Sequence, residues 1–472
     1  MTRTLRIRIA LAGVIAAAAC NPTDLLQVSN PDIIDPAVAT TLAGVASLYA
    51  GAIGNFGTGI VGDNGVTEGL VLVSGSFSDE LVNSETFPTR IEYDHRGPID
   101  IKNGTLSIIF RRVQRARRAT ELAATSIKAV SATPLTDSRI AEMYSLAGMI
   151  YTMLGEVYCS GMPVSDASLD GTLSYTDPLS TTELFNRANS RFDSALAYPA
   201  NATVTNLAKI LKARTLLDLN QPAAAAAMVA GIATTFVYNS TFNLAVAGQN
   251  NPVFSFVQQN KRFSVGNLDG GNGLNFRTAL DPRVPWARTP STNVGFDKAT
   301  PQFDQGKYKD ESASIALVTG VEARLIEAEA ALAANDATTW LGTLNTLRAT
   351  TSLYPKAFPT AFPVATVATG FLPGFTQPAA LTDPVDPALR VDLMFRERAF
   401  WLFLTGHRMG DLRRLVRQYG RSASAVFPGG GGVQYIVDGN PKGGAFGADV
   451  NLPIPFDELN NPKFLACTDR NP

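Results

Sequence analysis

The sequence predicts a mostly α protein, a tetratricopeptide-like scaffold of helix pairs interrupted by long irregular insertions. Three observations carry that expectation. Val321, Leu325, Ala328 and Leu332 form one apolar stripe at helical spacing. After Asn335 and Asp336, Trp340, Leu344 and Leu347 repeat the spacing, so a second helix turns back on the first. The hairpin from Thr319 to Arg348 has the length of a tetratricopeptide unit, about 34 residues, and such a unit buries its stripe only against neighbours of its own kind.

The elements follow in order. Arg3, Arg6 and Arg8 precede an apolar run from Ala10 to Ala19, too short and too alanine-rich for a permanent span, which predicts a secretory signal over 1–19. Ala17, Ala18 and Ala19 lead into Cys20, a lipoprotein-type cleavage box with alanine where leucine is usual at Ala17. Cys20 is therefore the expected lipidation site, and several acyl chains at roughly 0.8 kcal/mol per buried CH₂ make a stable anchor. That leaves Cys159 and Cys467 in an exported chain, and a disulfide between them is expected. In the chain-entropy model so long a loop contributes about 5 kcal/mol. A polar leader over 20–36 then gives way to one body over 37–472. Its helical scaffold is expected over about 37–235, 315–350 and 388–421.

Within the scaffold, Val38, Leu42, Val45 and Leu48 mark a first helix, with Gly51 to Gly65 expected as a glycine-rich loop. A helix is predicted from Val66 to about Asn83, and an ordered surface loop from Ser84 to Ile101. Leu106 to Val130 is a long helix carrying Arg111, Arg115 and Arg118 on one stripe, Thr136 to Tyr158 the next, and Thr181 to Leu219 another hairpin, with a short helix after Pro222. Pro387 to Arg421 returns to helix, with Gly406 placed to end its first segment. Helical stripes vanish over 238–314 and 354–387. Insertions of that length are functional or disordered, and their aromatic content, from Phe254 to Phe375, argues for order.

The chemistry narrows the function. A net charge of −1 and an exported location argue against nucleic acid. With His95 and His407 the only histidines, a multi-histidine zinc site is excluded, and no metal or cofactor is expected. Neither a G-x-S-x-G nor a Walker A motif occurs, and the carboxylates at Asp79 and Glu80 are sequence neighbours, which is no evidence of a glycosidase pair. No catalytic residue is expected. Glu322, Glu329, Glu397, Arg398, Arg408 and Asp411 read as structural staples between helices. Sugars pack their C–H faces on aromatic rings, which makes Trp286 the leading ligand platform, with Phe296, Tyr93 and Asn272 behind it.

At these residues the chain resembles the SusD/RagB lipoproteins of bacterial outer-membrane nutrient uptake. The likeness runs through Glu322, Leu325, Ala328, Glu329 and Ala330, then Leu344, Asn345 and Arg348. It continues through Glu397, Arg398, Gly406, Arg408, Asp411, Leu412 and Arg414, and closes on Leu452 to Pro455 with Glu458, Asn461 and Pro462. Trp401 and Thr405 stand where the family often has glutamates, so its charge network is expected to be rewired here. The resemblance implies a SusD-like body whose insertions carry the ligand site. It implies capture of glycans or peptides, an outer-membrane location and delivery to a SusC-like TonB-dependent transporter. The alternatives are a periplasmic tetratricopeptide scaffold lipoprotein and a lipoprotein glycosidase.

Overall fold

The computed structural model describes residues 39–64, 66–168, 172–288, 290–355, 374–430 and 432–471. The signal, Cys20, the leader, and Phe371 with most of the second insertion lie outside the described residues.

Among the described residues, twelve helices of seven or more residues build the scaffold. They are α1 (Leu42–Ile60), α2 (Leu70–Phe77), α3 (Pro88–Asp94), α4 (Gly104–Val130), α5 (Ser138–Val157), α6 (Thr181–Leu196), α7 (Ala202–Asp218), α8 (Pro222–Val229), α9 (Gly320–Ala333), α10 (Ala337–Ala349), α11 (Pro387–Trp401) and α12 (Arg408–Arg417). Most of their starts are capped by side chains that satisfy orphan backbone N–H groups, as Asn103 does for α4, Thr319 for α9 and Asp386 for α11. Ser180 and Glu183 form a full capping box on α6. Helices α5 and α6 approach closely because Gly148 and Gly155 lie under the rings of Phe192 and Phe185, where any Cβ would collide.

Four boundaries differ from expectation. The helix predicted from Val66 to about Asn83 is confined to α2, and Leu81–Asn83 is a strand. α1 runs through Gly51, Gly54, Gly57 and Gly59 to Ile60 instead of breaking into a loop. Glycine costs helix about 1 kcal/mol relative to alanine, but at Gly59 a Cβ would lie 3.1 Å from the Arg112 carbonyl, so tertiary packing on α4 selects it. The run Gly57 to Gly62 spells G-x-G-x-x-G, yet it lies at the C-terminal end of a helix, not at a strand-to-helix turn, and carries no dinucleotide-binding geometry. Helix α11 stops at Trp401, five residues before Gly406, and Gly406 takes φ +78° in the turn leading to α12. The expected surface loop after Ser84 contains α3, whose Tyr93 and Asp94 are buried.

The insertion over 238–314 forms no continuous sheet among the described residues. It contributes short antiparallel strands: Val237–Ser240 pairs with Ile315–Thr319, Phe263–Val265 with Leu81–Asn83, and Trp286–Ala287 with Asp304–Gln305. Its Phe256, Phe263 and Phe276 enter the core, Phe276 packing 5.2 Å from Phe400 and 5.3 Å from Phe403. At the other end Cys159 and Cys467 are joined by a disulfide. Backbone bonds between Cys159 and Leu452 (3.0 Å) and between Ser160 and Asp469 (3.0 Å) dock the tail on the exit of α5.

The staples are buried ion pairs. Glu397 on α11 accepts from Arg348 on α10 (2.5 and 3.0 Å) and from Arg283 in the insertion (2.6 Å). Arg398 donates to Asp411 on α12 at 2.9 Å, Glu329 on α9 pairs with Arg414, and Arg408 clasps Asp79 at 2.6 and 2.8 Å. His407 meets Glu322 at 3.0 Å and Thr405 at 2.8 Å, while Arg214 holds Glu156. Beside these pairs Trp401 packs under the Arg283 guanidinium at 5.0 Å, and Thr405 orients His407.

Removing one member of a desolvated pair strands the other's charge, at about 3–5 kcal/mol. Glu397→Ala should therefore lower unfolding stability by about that much in denaturant titration. Asp392→Ala, which breaks only the exposed pair with Arg421, should change it by less than about 1 kcal/mol. Glu80 gives a pH test. Its carboxyl accepts from the Leu404 N–H at 3.0 Å but is fully buried, and burial pushes it up to about 8. Between pH about 4.5 and 8 the folded protein keeps a proton that the unfolded chain has lost. Stability should thus fall as pH rises through that window, with Glu80 contributing up to about 1.4 kcal/mol per pH unit. Glu80→Gln should flatten that slope in a pH series of thermal melts.

Candidate functional site

Three separated segments meet beside the Leu81–Asn83 strand. Ser84 donates its N–H to the Arg262 carbonyl (2.9 Å) and its hydroxyl to the Lys261 carbonyl (2.8 Å). Phe296 donates its N–H to the same Lys261 carbonyl (2.8 Å), and Asp297 to that of Ser84 (3.1 Å). A Cβ at Gly295 would lie 2.5 Å from the Ser84 carbonyl oxygen, so the glycine is what lets the loops touch. Lys261 (φ +53°) and Lys298 (φ +61°) both take left-handed backbone, a cost that this interlocking holds in place.

The result is an open shelf. Phe87 and Phe296 are 46% and 41% exposed, unusual for phenylalanine. The Arg262 guanidinium lies between them, 5.2 Å from one ring centroid and 4.5 Å from the other. Arg262 Nη1 pairs with Glu85, which Arg90 also approaches at 3.0 Å, and Arg90 covers Phe87 at 5.2 Å. Burial raises the Glu85 carboxyl to about 7 against the pull of Arg262. Both arginine planes are thus fixed before any ligand arrives. The shelf offers two aromatic faces and a planar hydrogen-bond donor in a fixed arrangement, suited to ring-shaped polar molecules with apolar faces.

The sequence candidates separate on inspection. Phe296 belongs to the shelf. Trp286 is half-buried: its Nε1–H donates to the Arg277 carbonyl (3.0 Å), and its ring packs edge-on to Phe303 (5.3 Å) and Phe375 (6.1 Å), so it holds the insertion together. Tyr93 is fully buried in the core and is no platform, because α3 turns its ring inward. Asn272 uses both ends of its amide on the glycine-rich segment, donating to the Phe427 carbonyl (2.8 Å) and accepting from Gly429 N–H (2.8 Å). Phe87 and Arg262 were not singled out. The only sequence trace of Phe87 is its place before Pro88 at the first turn of a helix, and nothing local marks Arg262.

Asp79 and Glu80 do not form an open acid pair: both are buried, Asp79 on Arg408 and on the Leu274 N–H (2.7 Å). Among the described residues no group of three or more His, Cys, Asp or Glu is disposed to hold a metal ion, and no helix is long and apolar enough to cross a membrane. Of the helical arginines, Arg112 pairs with Asp63 and Arg118 with Asp166, while Arg111 and Arg115 face solvent.

No protein-family model matches the chain, and no curated protein matches it. Solved structures do. A SusD superfamily protein from Bacteroides thetaiotaomicron VPI-5482 superposes with a TM-score of 0.62 at 14% identity, over 90% of this chain and 98–99% of its own length being spanned in this and a second case. That second case, a SusD-like protein from Bacteroides fragilis NCTC 9343, gives a TM-score of 0.60 at 12% identity over 92% of this chain. A SusD-like carbohydrate binding protein from Bacteroides vulgatus ATCC 8482 gives 0.56 at 14% identity, over 78% of this chain and 82% of its own. At such identities the likeness is one of fold: the chain shares its overall, mostly helical architecture with these SusD-like structures.

Proposed function

We propose that this protein is a non-catalytic glycan-capture lipoprotein, anchored in the outer membrane through Cys20, that passes its ligand to a SusC-like TonB-dependent transporter. The observation that carries the reading is the shelf of Phe87, Arg262 and Phe296, set by the insertion on a SusD-like scaffold. Support comes from the structural likeness to a protein described as carbohydrate binding. The shelf's openness suits an oligomer lying across it better than a substrate enclosed for reaction, and its acids are held in ion pairs, Glu85 with Arg90 and Arg262 and Asp297 with Lys442.

Ring-on-sugar packing contributes about 1 kcal/mol or more per aromatic face. Phe87→Ala and Phe296→Ala should each weaken binding to a responsive glycan, found on a glycan array, by about five- to tenfold. Arg262→Ala should weaken it further, since it removes the donor and unseats Glu85. Unchanged affinity in all three variants would remove the shelf from the ligand site. Mild-detergent purification from the native membrane should bring down a large β-barrel transporter, and its absence would count against the hand-off.

A further inference from the structure

A separate cavity lies away from the shelf, on the scaffold side. It is a cleft of about 760 Å³ between α1, α5, the Val237–Ser240 strand and the loop that follows it. Glu142 of α5 lines it, and each carboxylate oxygen accepts from a tyrosine: Oε2 from Tyr49 Oη at 2.6 Å, Oε1 from Tyr238 Oη at 2.7 Å. Burial, reinforced by Glu142, raises both phenols well above their ordinary value, so they remain donors. No Lys, Arg or His among the described residues pairs with Glu142. Arg139, one turn earlier, is turned to Asp137 at 2.7 Å. Phe242 lines the same cleft, which therefore holds three aromatic side chains and a carboxylate with no ion-pair partner among the described residues.

We propose that this cleft binds a ligand through a primary ammonium group, seated against the Glu142 carboxylate and the Tyr49, Tyr238 and Phe242 rings. The chemistry discriminates. An ammonium gains a charge-assisted hydrogen bond and ring-face attraction together. A neutral hydroxyl gains less, because the tyrosine donors are already committed to Glu142. The space beside this cluster is kept open by glycine: a Cβ at Gly54 meets nothing within 4 Å, and one at Gly57 only the Ser240 hydroxyl at 3.8 Å. Asn243, bonded to Gln249 at 2.6 Å, adds an amide rim that can read neighbouring polar groups. An amino sugar and the amino terminus of a short peptide both present this chemistry. The cleft shares no residue with the shelf, so the outcome at one does not decide the other.

Calorimetric titration of the full mature protein tests this with glucosamine disaccharide and dialanine amide as two arms and N-acetylglucosamine disaccharide as the acetylated control. At least one amine probe should bind, and at least tenfold more tightly than the control. Glu142→Gln, which keeps an oxygen for a tyrosine and removes the charge, should abolish that preference. Gly54→Leu adds bulk to the cleft wall at a position whose Cβ meets nothing within 4 Å, and it favours helix, so it should weaken the amine probe at least tenfold with the melting temperature maintained. Which arm binds identifies the source. Binding of neither amine at millimolar concentration, equal binding of the acetylated control, or an unaltered preference in Glu142→Gln would overturn the proposal.

Discussion

Glu397 is the point on which the rest of the structure turns. It accepts from Arg348 of the α9–α10 hairpin and from Arg283 of the insertion, so one buried carboxylate joins scaffold to ligand-side loops. Its pKa is held below the ordinary value because the two guanidiniums outweigh the cost of burial. Such a network is not the cheapest way to fill a core, since apolar residues of equal volume are often as stable or more so. What it supplies is orientation. A charge that must find its partner in a low-dielectric interior admits few alternative docking angles between α9, α11, α12 and the insertion.

That orientation is what lets an irregular segment act as a rigid site. The insertion has few ladder hydrogen bonds of its own, and its order comes from elsewhere: phenylalanines driven into the helical core, Trp286 bonded to the Arg277 backbone, and loops interlocked at Ser84, Lys261 and Phe296. With loops so fixed, Phe87 and Phe296 remain exposed without collapsing onto each other, because Arg262 fills the gap. The molecule then carries two surfaces of opposite character. The shelf is aromatic and cationic, built by inserted loops. The cleft at Glu142 is aromatic and anionic, built by α1, α5 and the Val237–Ser240 strand with its following loop.

The hairpin at Thr319 to Arg348 was legible in the sequence because helical spacing and capping residues are local, and the structure has α9 and α10 there with Thr319 and Asp336 as caps. The structural role of Glu322, Glu329, Glu397, Arg398, Arg408 and Asp411 was legible for a related reason: charged residues on an otherwise apolar helix face must meet partners. The glycines of α1 misled because their helix cost is local while the packing that selects them is tertiary. Tyr93 misled because a tyrosine among prolines and charges looks like a loop residue, whereas α3 turns it inward. Phe87, Arg262 and Phe296 are far apart in the chain, and no periodicity links them.

By itself, then, the sequence determined the helix pairs, the staples, and the irregular but ordered course of 238–314, since each depends on spacing, capping or composition within a few turns of chain. Only the tertiary structure decided which aromatics face water, which carboxylates lack a cation, and where the loops converge. Those properties belong to pairs of residues brought together by folding, and an exposed ring or an unbalanced charge has no signature until its neighbours are in place.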